Sequence, residues 1–228
     1  MTYRPYLTYS TMKRILALLT VLACATLFAG PSGGTLSADY TSRYVFRGAA
    51  LAGDSVQPTV NLQFGSAYAT IWANQPFRRH TEANEVDYTL GGSHESGLDG
   101  GVTAYTYPQG GKTTFEPYLG FARDIGLVKA SVYAFQDVKL HVTTFEGKAA
   151  ASLATIRGIQ SSVEAAFGTT HGRDLPAYQY WSVGPVIRYR LAGEWLAGTA
   201  SYQYVSSSGS AGLDRDLWVS RAGIVLSF

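Results

Sequence analysis

From residue 216 to its end the chain reads DLWVSRAGIVLSF, and the side chains fall into two interleaved sets. Phe228, Leu226, Ile224, Ala222, Ser220 and Trp218 make up one; Ser227, Val225, Gly223, Arg221, Val219 and Leu217 make up the other. A period of two means extended backbone, whose successive side chains point to opposite faces. A strand that stops on an aromatic, with no loop after it, is an odd ending for a soluble fold. It suits a closed transmembrane barrel, where the last strand completes the cylinder and its aromatic end sits at the membrane interface.

The same grammar runs back through the chain. Over residues 36–48, Ala38, Tyr40, Tyr44 and Phe46 alternate with Asp39, Thr41, Arg43 and Arg47, which predicts one long wall strand with charges on its wet face. Val56, Pro58, Val60, Leu62 and Phe64 then oppose Gln57, Thr59, Asn61 and Gln63. Pro58 cannot donate to a ladder and requires a local lapse in pairing there. Similar runs recur to the C-terminus, giving about twelve strands of about 9–13 residues, long enough to cross a bilayer at a tilt. Tight turns follow every second strand, and most of the other connections are longer and more polar. Outer-membrane barrels have this asymmetry between periplasmic turns and outer loops. The expected fold is therefore all-β: a single transmembrane antiparallel up-and-down barrel of about twelve strands.

Composition agrees. Charged residues are 15% of the 228, low against the roughly 25% of soluble domains. Mean hydropathy is near zero, so the chain is not a bundle of apolar helices. A secreted β-sandwich shares these values and stays as the alternative fold. The formal charge of +2 includes Arg4, Lys13 and Arg14; without these three, fifteen basic side chains face sixteen acidic ones. That leaves no basic surplus for nucleic acid.

Residues 1–30 read as a secretory leader, with Lys13 and Arg14 ahead of a short apolar run and small residues at the cleavage positions. Residues 31–228 are the barrel domain. Cys24, the only cysteine, lies in a loose lipobox and is either acylated or cut away with the leader.

Four blocks together resemble the TorF-like porin family of predicted outer-membrane barrels: DYTSRYVFRG at 39–48, IWAN at 71–74, YTYP at 105–108 and FEPYLG at 115–120. The resemblance spans most of residues 36–228. It implies an outer-membrane barrel acting as a channel, and it supplies neither a substrate nor catalytic residues.

The polar faces predict a pore lining of Asp39, Arg43, Arg47, Glu85, Asp87, Glu116, Lys129, Arg188, Arg190 and Arg221, with Lys148, Glu146 and Glu164 in the wider set. Rings of charge filter ions in pores, whereas small barrels fill their interior with side chains; an open channel and a plugged barrel both follow from this pattern. Arg43 and Arg47, four apart on one strand, are expected on one wall about 13 Å apart, pairing with Glu85 and Asp87 or binding an anion. Tyr40, Tyr44, Trp181, Tyr189, Tyr202, Tyr204, Trp218 and Phe228 are expected in interfacial girdles. Tyr68, Trp72, Tyr105 and Tyr107 are expected inside. Phe228 also looks like a C-terminal assembly signal. No spacing indicates a metal or cofactor, and no catalytic residue is assigned; His94 and Ser96, with Asp99 nearby, are the only hint of a hydrolase. The expected function is passive diffusion of small hydrophilic solutes, with outer-membrane lipid and the barrel-assembly machinery as partners. The alternatives are a plugged structural or interaction barrel and an outer-membrane hydrolase.

Overall fold

The computed structural model describes residues 31–78, 84–173, 176–208 and 216–228. Residues 1–30, where a leader is expected, with Cys24, and His80 lie outside the described residues. Twelve strands close into one antiparallel barrel: β1 (Gly33–Thr41), β4 (Ser55–Phe64), β5 (Ala67–Pro76), β6 (Glu85–Ser93), β7 (Leu98–Thr106), β8 (Thr114–Ile125), β9 (Val128–Asp137), β10 (Val142–Ile156), β11 (Ile159–Gly172), β12 (Tyr178–Ala192), β13 (Leu196–Ser208) and β14 (Leu217–Ser227). Two short strands, β2 (Tyr44–Phe46) and β3 (Ala49–Ala52), form a separate hairpin between β1 and β4.

Each strand pairs with its sequence neighbours, and β1 closes the cylinder against β14, with Ala38 opposite Ile224 and Thr41 opposite Arg221. Phe228 finishes this seam. Gly34 N–H donates to its carbonyl (2.8 Å), its own N–H donates to the Gly34 carbonyl (3.1 Å), and its ring fills the space where a side chain at Gly34 would sit. At Pro58 the β4–β5 pairing lapses between Val56↔Gln75 and Thr59↔Trp72, so no ladder bond is missed.

The outer face is apolar. Leu90, Leu119, Val132, Phe145, Phe167, Ile187 and Ile224 are all exposed around the girth. In water such a surface would be an aggregation hazard; with every strand edge paired it is a surface for lipid. Trp181, Tyr202, Tyr204 and Trp218 gather near the long-loop end of β12–β14, with Tyr202 stacked on Trp218 at 4.8 Å. Amphipathic rings at that height suit the membrane–water boundary. Tight turns around Gly65, Gly97, Gly126, Gly158 and Gly193, all with positive φ, join strands at the opposite end.

One expectation fails. The wall strand predicted over residues 36–48 ends at Thr41, and the rest of that stretch leaves the wall. Ser42 and Arg43 turn the chain inward, and β2 and β3 fold back through a two-residue turn at Arg47 (φ 49) and Gly48 (φ 78). Two left-handed residues in succession make the turn whose twist suits a hairpin, and Gly at the second lowers its cost. Alternation alone cannot separate this hairpin from a continued wall, because both are extended backbone. Tyr44, expected in a girdle, is accordingly buried inside.

Candidate functional site: a partitioned lumen

The inward-facing side chains and the β2–β3 hairpin divide the interior into a filled side and an open side. The hairpin enters from the long-loop end. Val45 and Ala50 pack on the buried Val205, Leu217 and Val219 of β13 and β14. From there its other side chains reach across the lumen. Tyr44 hydroxyl donates to Glu85 Oε2 on β6 at 2.8 Å, and its ring lies 5.2 Å from that of Trp72 on β5. Phe46 meets Tyr105 of β7 edge-on at 5.9 Å.

Arg47, at the tip, makes the firmest contact. Its Nη1 and Nη2 donate to Glu116 Oε2 and Oε1, each at 2.7 Å, and Tyr105 hydroxyl donates to Oε1 at 2.8 Å. The guanidinium also lies 4.5 Å from the Phe135 ring centroid. A fork-on-fork pair between side chains only 9% and 4% exposed is held by hydrogen bonds and charge with little screening. Gly48 abuts Tyr180 and Ser207, and a Cβ there would lie 2.5 Å from Tyr180 Cβ. Gly48 fits there because it carries no side chain.

Below the hairpin, toward the tight turns, β5–β9 are plugged by aromatics. Asp99 accepts from Tyr68 hydroxyl (2.9 Å) and Tyr133 hydroxyl (2.7 Å), and Tyr68 and Tyr118 hydroxyls bond to each other. Inward glycines make the room: a Cβ at Gly120 would overlap the Tyr133 ring, and one at Gly91 would meet Tyr68 and Tyr118. This cluster escapes a sequence reading keyed to charge. Glycine on the wet face of one strand beside tyrosine on the next is the signal that marks it.

The side made by β10–β14, β1 and β4 keeps space. A cavity of about 250 Å³ is bordered by Asp39, Gln57, Trp72, Val186, Thr199 and Arg221. A second, of about 460 Å³, opens at the short-turn mouth beside Gln160, Arg188 and Arg190. The register relates the two: Arg188 pairs with Thr199, and Arg190 with Ala197 one inward step nearer the mouth.

The lining residues expected from sequence are distributed as follows. Asp39, Arg221, Arg188 and Arg190 face the open side. Glu85, Asp87 and Glu116 face the filled side, where Asp87 Oδ1 is buried without a partner. Lys129 shares the inward parity of β9 near the mouth, and Lys148 pairs with Glu146 at 2.8 Å. Arg43 and Arg47 do not share a wall: Arg43 stands at the bend and Arg47 at the hairpin tip. Arg47 pairs with Glu116, not with Glu85 or Asp87. The expected interior aromatics, Tyr68, Trp72, Tyr105 and Tyr107, all face the lumen, Tyr107 through a side-chain hydrogen bond to Glu85.

The hydrolase hint does not assemble. His94 Nδ1 and Ser96 Oγ lie 2.9 Å apart on an exposed turn, but the Asp99 carboxylate is turned inward to Tyr68 and Tyr133. Among the described residues no cluster of three or more His, Cys, Asp or Glu is placed to hold a metal.

No protein-family model and no curated protein sequence matches the chain. The likeness to TorF-like porins thus rests on the quoted blocks alone. Solved structures do match. The NanC porin, in a rhombohedral crystal form, superposes with a TM-score of 0.56 at 12% identity, covering 85% of this chain and 98% of that one. The KdgM porin, in complex with disordered oligogalacturonate, superposes at 0.54 and 9% identity, covering 86% and 99%. At such identities the likeness establishes the fold: a twelve-stranded porin-type barrel.

Proposed function

We propose that the protein is a porin-like channel of a bacterial outer membrane, through which small hydrophilic solutes diffuse along the open side of the lumen. The observation that carries this reading is the pair of cavities bordered by charged side chains on the β10–β14, β1 and β4 side, one beside Asp39 and Arg221 and one at the mouth, inside a wall whose outer face is apolar. The mechanism is steric and electrostatic, with no covalent step. The β2–β3 hairpin narrows the outer end, and the charges of Asp39, Arg221, Arg188 and Arg190 set the local field along the route.

The strand lengths and lipid-facing girth call for an outer-membrane bilayer as solvent, and the leader at residues 1–30 for secretion into the periplasm. Phe228, at the closing seam, is the residue we assign to recognition by the barrel-assembly machinery. A second reading, a plugged barrel serving a structural or binding role, draws on the Arg47–Glu116 bridge, which pins the hairpin across the lumen.

Planar-bilayer recording of the folded protein separates the two. Discrete, salt-dependent current steps from the wild type are expected for a channel. A silent wild type that conducts once residues 43–53 are replaced by a short Gly-Ser link establishes the plug instead.

A further inference from the structure

The 250 Å³ cavity is bordered by two opposite charges, Asp39 and Arg221. Arg221 of β14 stands between Thr41 of β1 and Ser201 of β13, and its Nε is buried without a hydrogen-bond partner. A guanidinium presents its N–H donors in a fork that matches a carboxylate. On the same wall Asp39 accepts a long bond from Thr199 Oγ1 (3.4 Å). Across the cavity stands Trp72, whose ring is braced by Tyr44, and Val186 adds an apolar surface.

The charges restrict what can rest there. Arg221 lies in the field of both Asp39 and Glu164. A simple anion at Arg221 would be repelled by those two carboxylates, and a simple cation at Asp39 would be repelled by Arg221. A molecule with both charges close together offsets the Asp39 and Arg221 repulsions, because each of its charges meets the opposite one. At roughly 30 Å³ per water molecule, the space equals about eight waters, enough for a solute of a few heavy atoms.

We infer that this cavity is a station for a small zwitterion of free amino-acid size, its carboxylate on Arg221, its ammonium on Asp39 and its apolar carbon against Trp72 and Val186. The inference rests on the channel reading for its biological sense, since it names the solute class that the open side passes, but the site can be tested without current. The protein has four tryptophans, and Trp181, Trp195 and Trp218 are all exposed. Replacing those three by Phe leaves Trp72 as the sole reporter.

In the folded full-length barrel, L-alanine is expected to change Trp72 emission saturably. Acetate, methylammonium and glucose should require at least about tenfold higher concentrations, the ratio expected when one charged hydrogen bond is lost. Asp39→Asn and Arg221→Gln should each raise the half-saturating L-alanine concentration by a similar factor, with Arg221→Lys between. No response to L-alanine from a folded barrel overturns the inference, and so does an equal response to glucose or acetate. If the triple variant does not fold, calorimetric titration of the wild-type barrel with L-alanine reads the same binding. Current steps without L-alanine binding remove the station and leave the channel; binding to a silent barrel removes the channel and leaves the station.

Discussion

Arg47 and Glu116 are 69 residues apart in sequence and join in a two-bond ion pair, both contacts at 2.7 Å, that ties the tip of an inward hairpin to the far wall of the barrel. Neither side chain belongs to the other's strand or to an adjacent one. The contact exists only because the barrel is closed and the hairpin is inside it.

Removing one partner leaves the other buried and charged. Arg47→Ala or Glu116→Gln is expected to weaken hairpin docking by about 3–5 kcal/mol, the usual cost of breaking a buried pair. Replacing both together by Met and Leu should recover much of that loss. Protease sensitivity of the hairpin in the folded barrel reads docking directly, and an increase in unit conductance in the single variants is the matching electrical signature.

Val132 and Ser131 are neighbours on β9 with opposite facing: Val132 is 62% exposed on the lipid side, and Ser131 faces the lumen. Val132→Arg should therefore destabilise the barrel by about 2–4 kcal/mol if it sits near mid-membrane. Ser131→Glu should cost far less, since Lys148 stands opposite it on β10. Urea titration in lipid vesicles compares the two, and equal losses would contradict the assigned faces.

At the seam, Phe228 and Gly34 exchange two backbone hydrogen bonds and one ring contact. Phe228→Ala keeps the backbone bonds and loses the ring, so barrels that do form should be only slightly less stable, by about 1 kcal/mol or less given the ring's exposure. The yield of folded barrel in cells should fall much further, if Phe228 is read during assembly. Gly34→Leu collides with the same ring and with the Asn61 carbonyl of β4, so it disturbs the folded wall whether or not Phe228 is read during assembly. Heat-dependent gel mobility, with the folded fraction counted before and after purification, distinguishes the two effects.

Much of this architecture was legible in order along the chain. The run Val56, Pro58, Val60, Leu62, Phe64 against Gln57, Thr59, Asn61, Gln63 needs no tertiary information to be a strand with one dry face. Tight and long connections in turn imply neighbours paired up and down. The candidate site was less legible. Arg188, Arg190, Arg221 and Asp39 could be placed on wet faces, but nothing in the sequence says that they share the open side while Glu116 and Asp99 belong to the filled one.

The sequence by itself determined the strands, their facing and the even count that lets the sheet close, because these follow from a period of two and from the lengths of runs and turns. Only the tertiary structure decided where residues 42–54 go. Tyr44 and Phe46 alternate like wall residues whether they face lipid or the aromatic interior, since either environment takes an apolar ring out of water. What selects the interior is the set of groups waiting there: Glu85 for Tyr44, Glu116 for Arg47, and the space left by Gly48 against Tyr180. Those partners come from strands brought around the cylinder by its closure, and no local pattern encodes them.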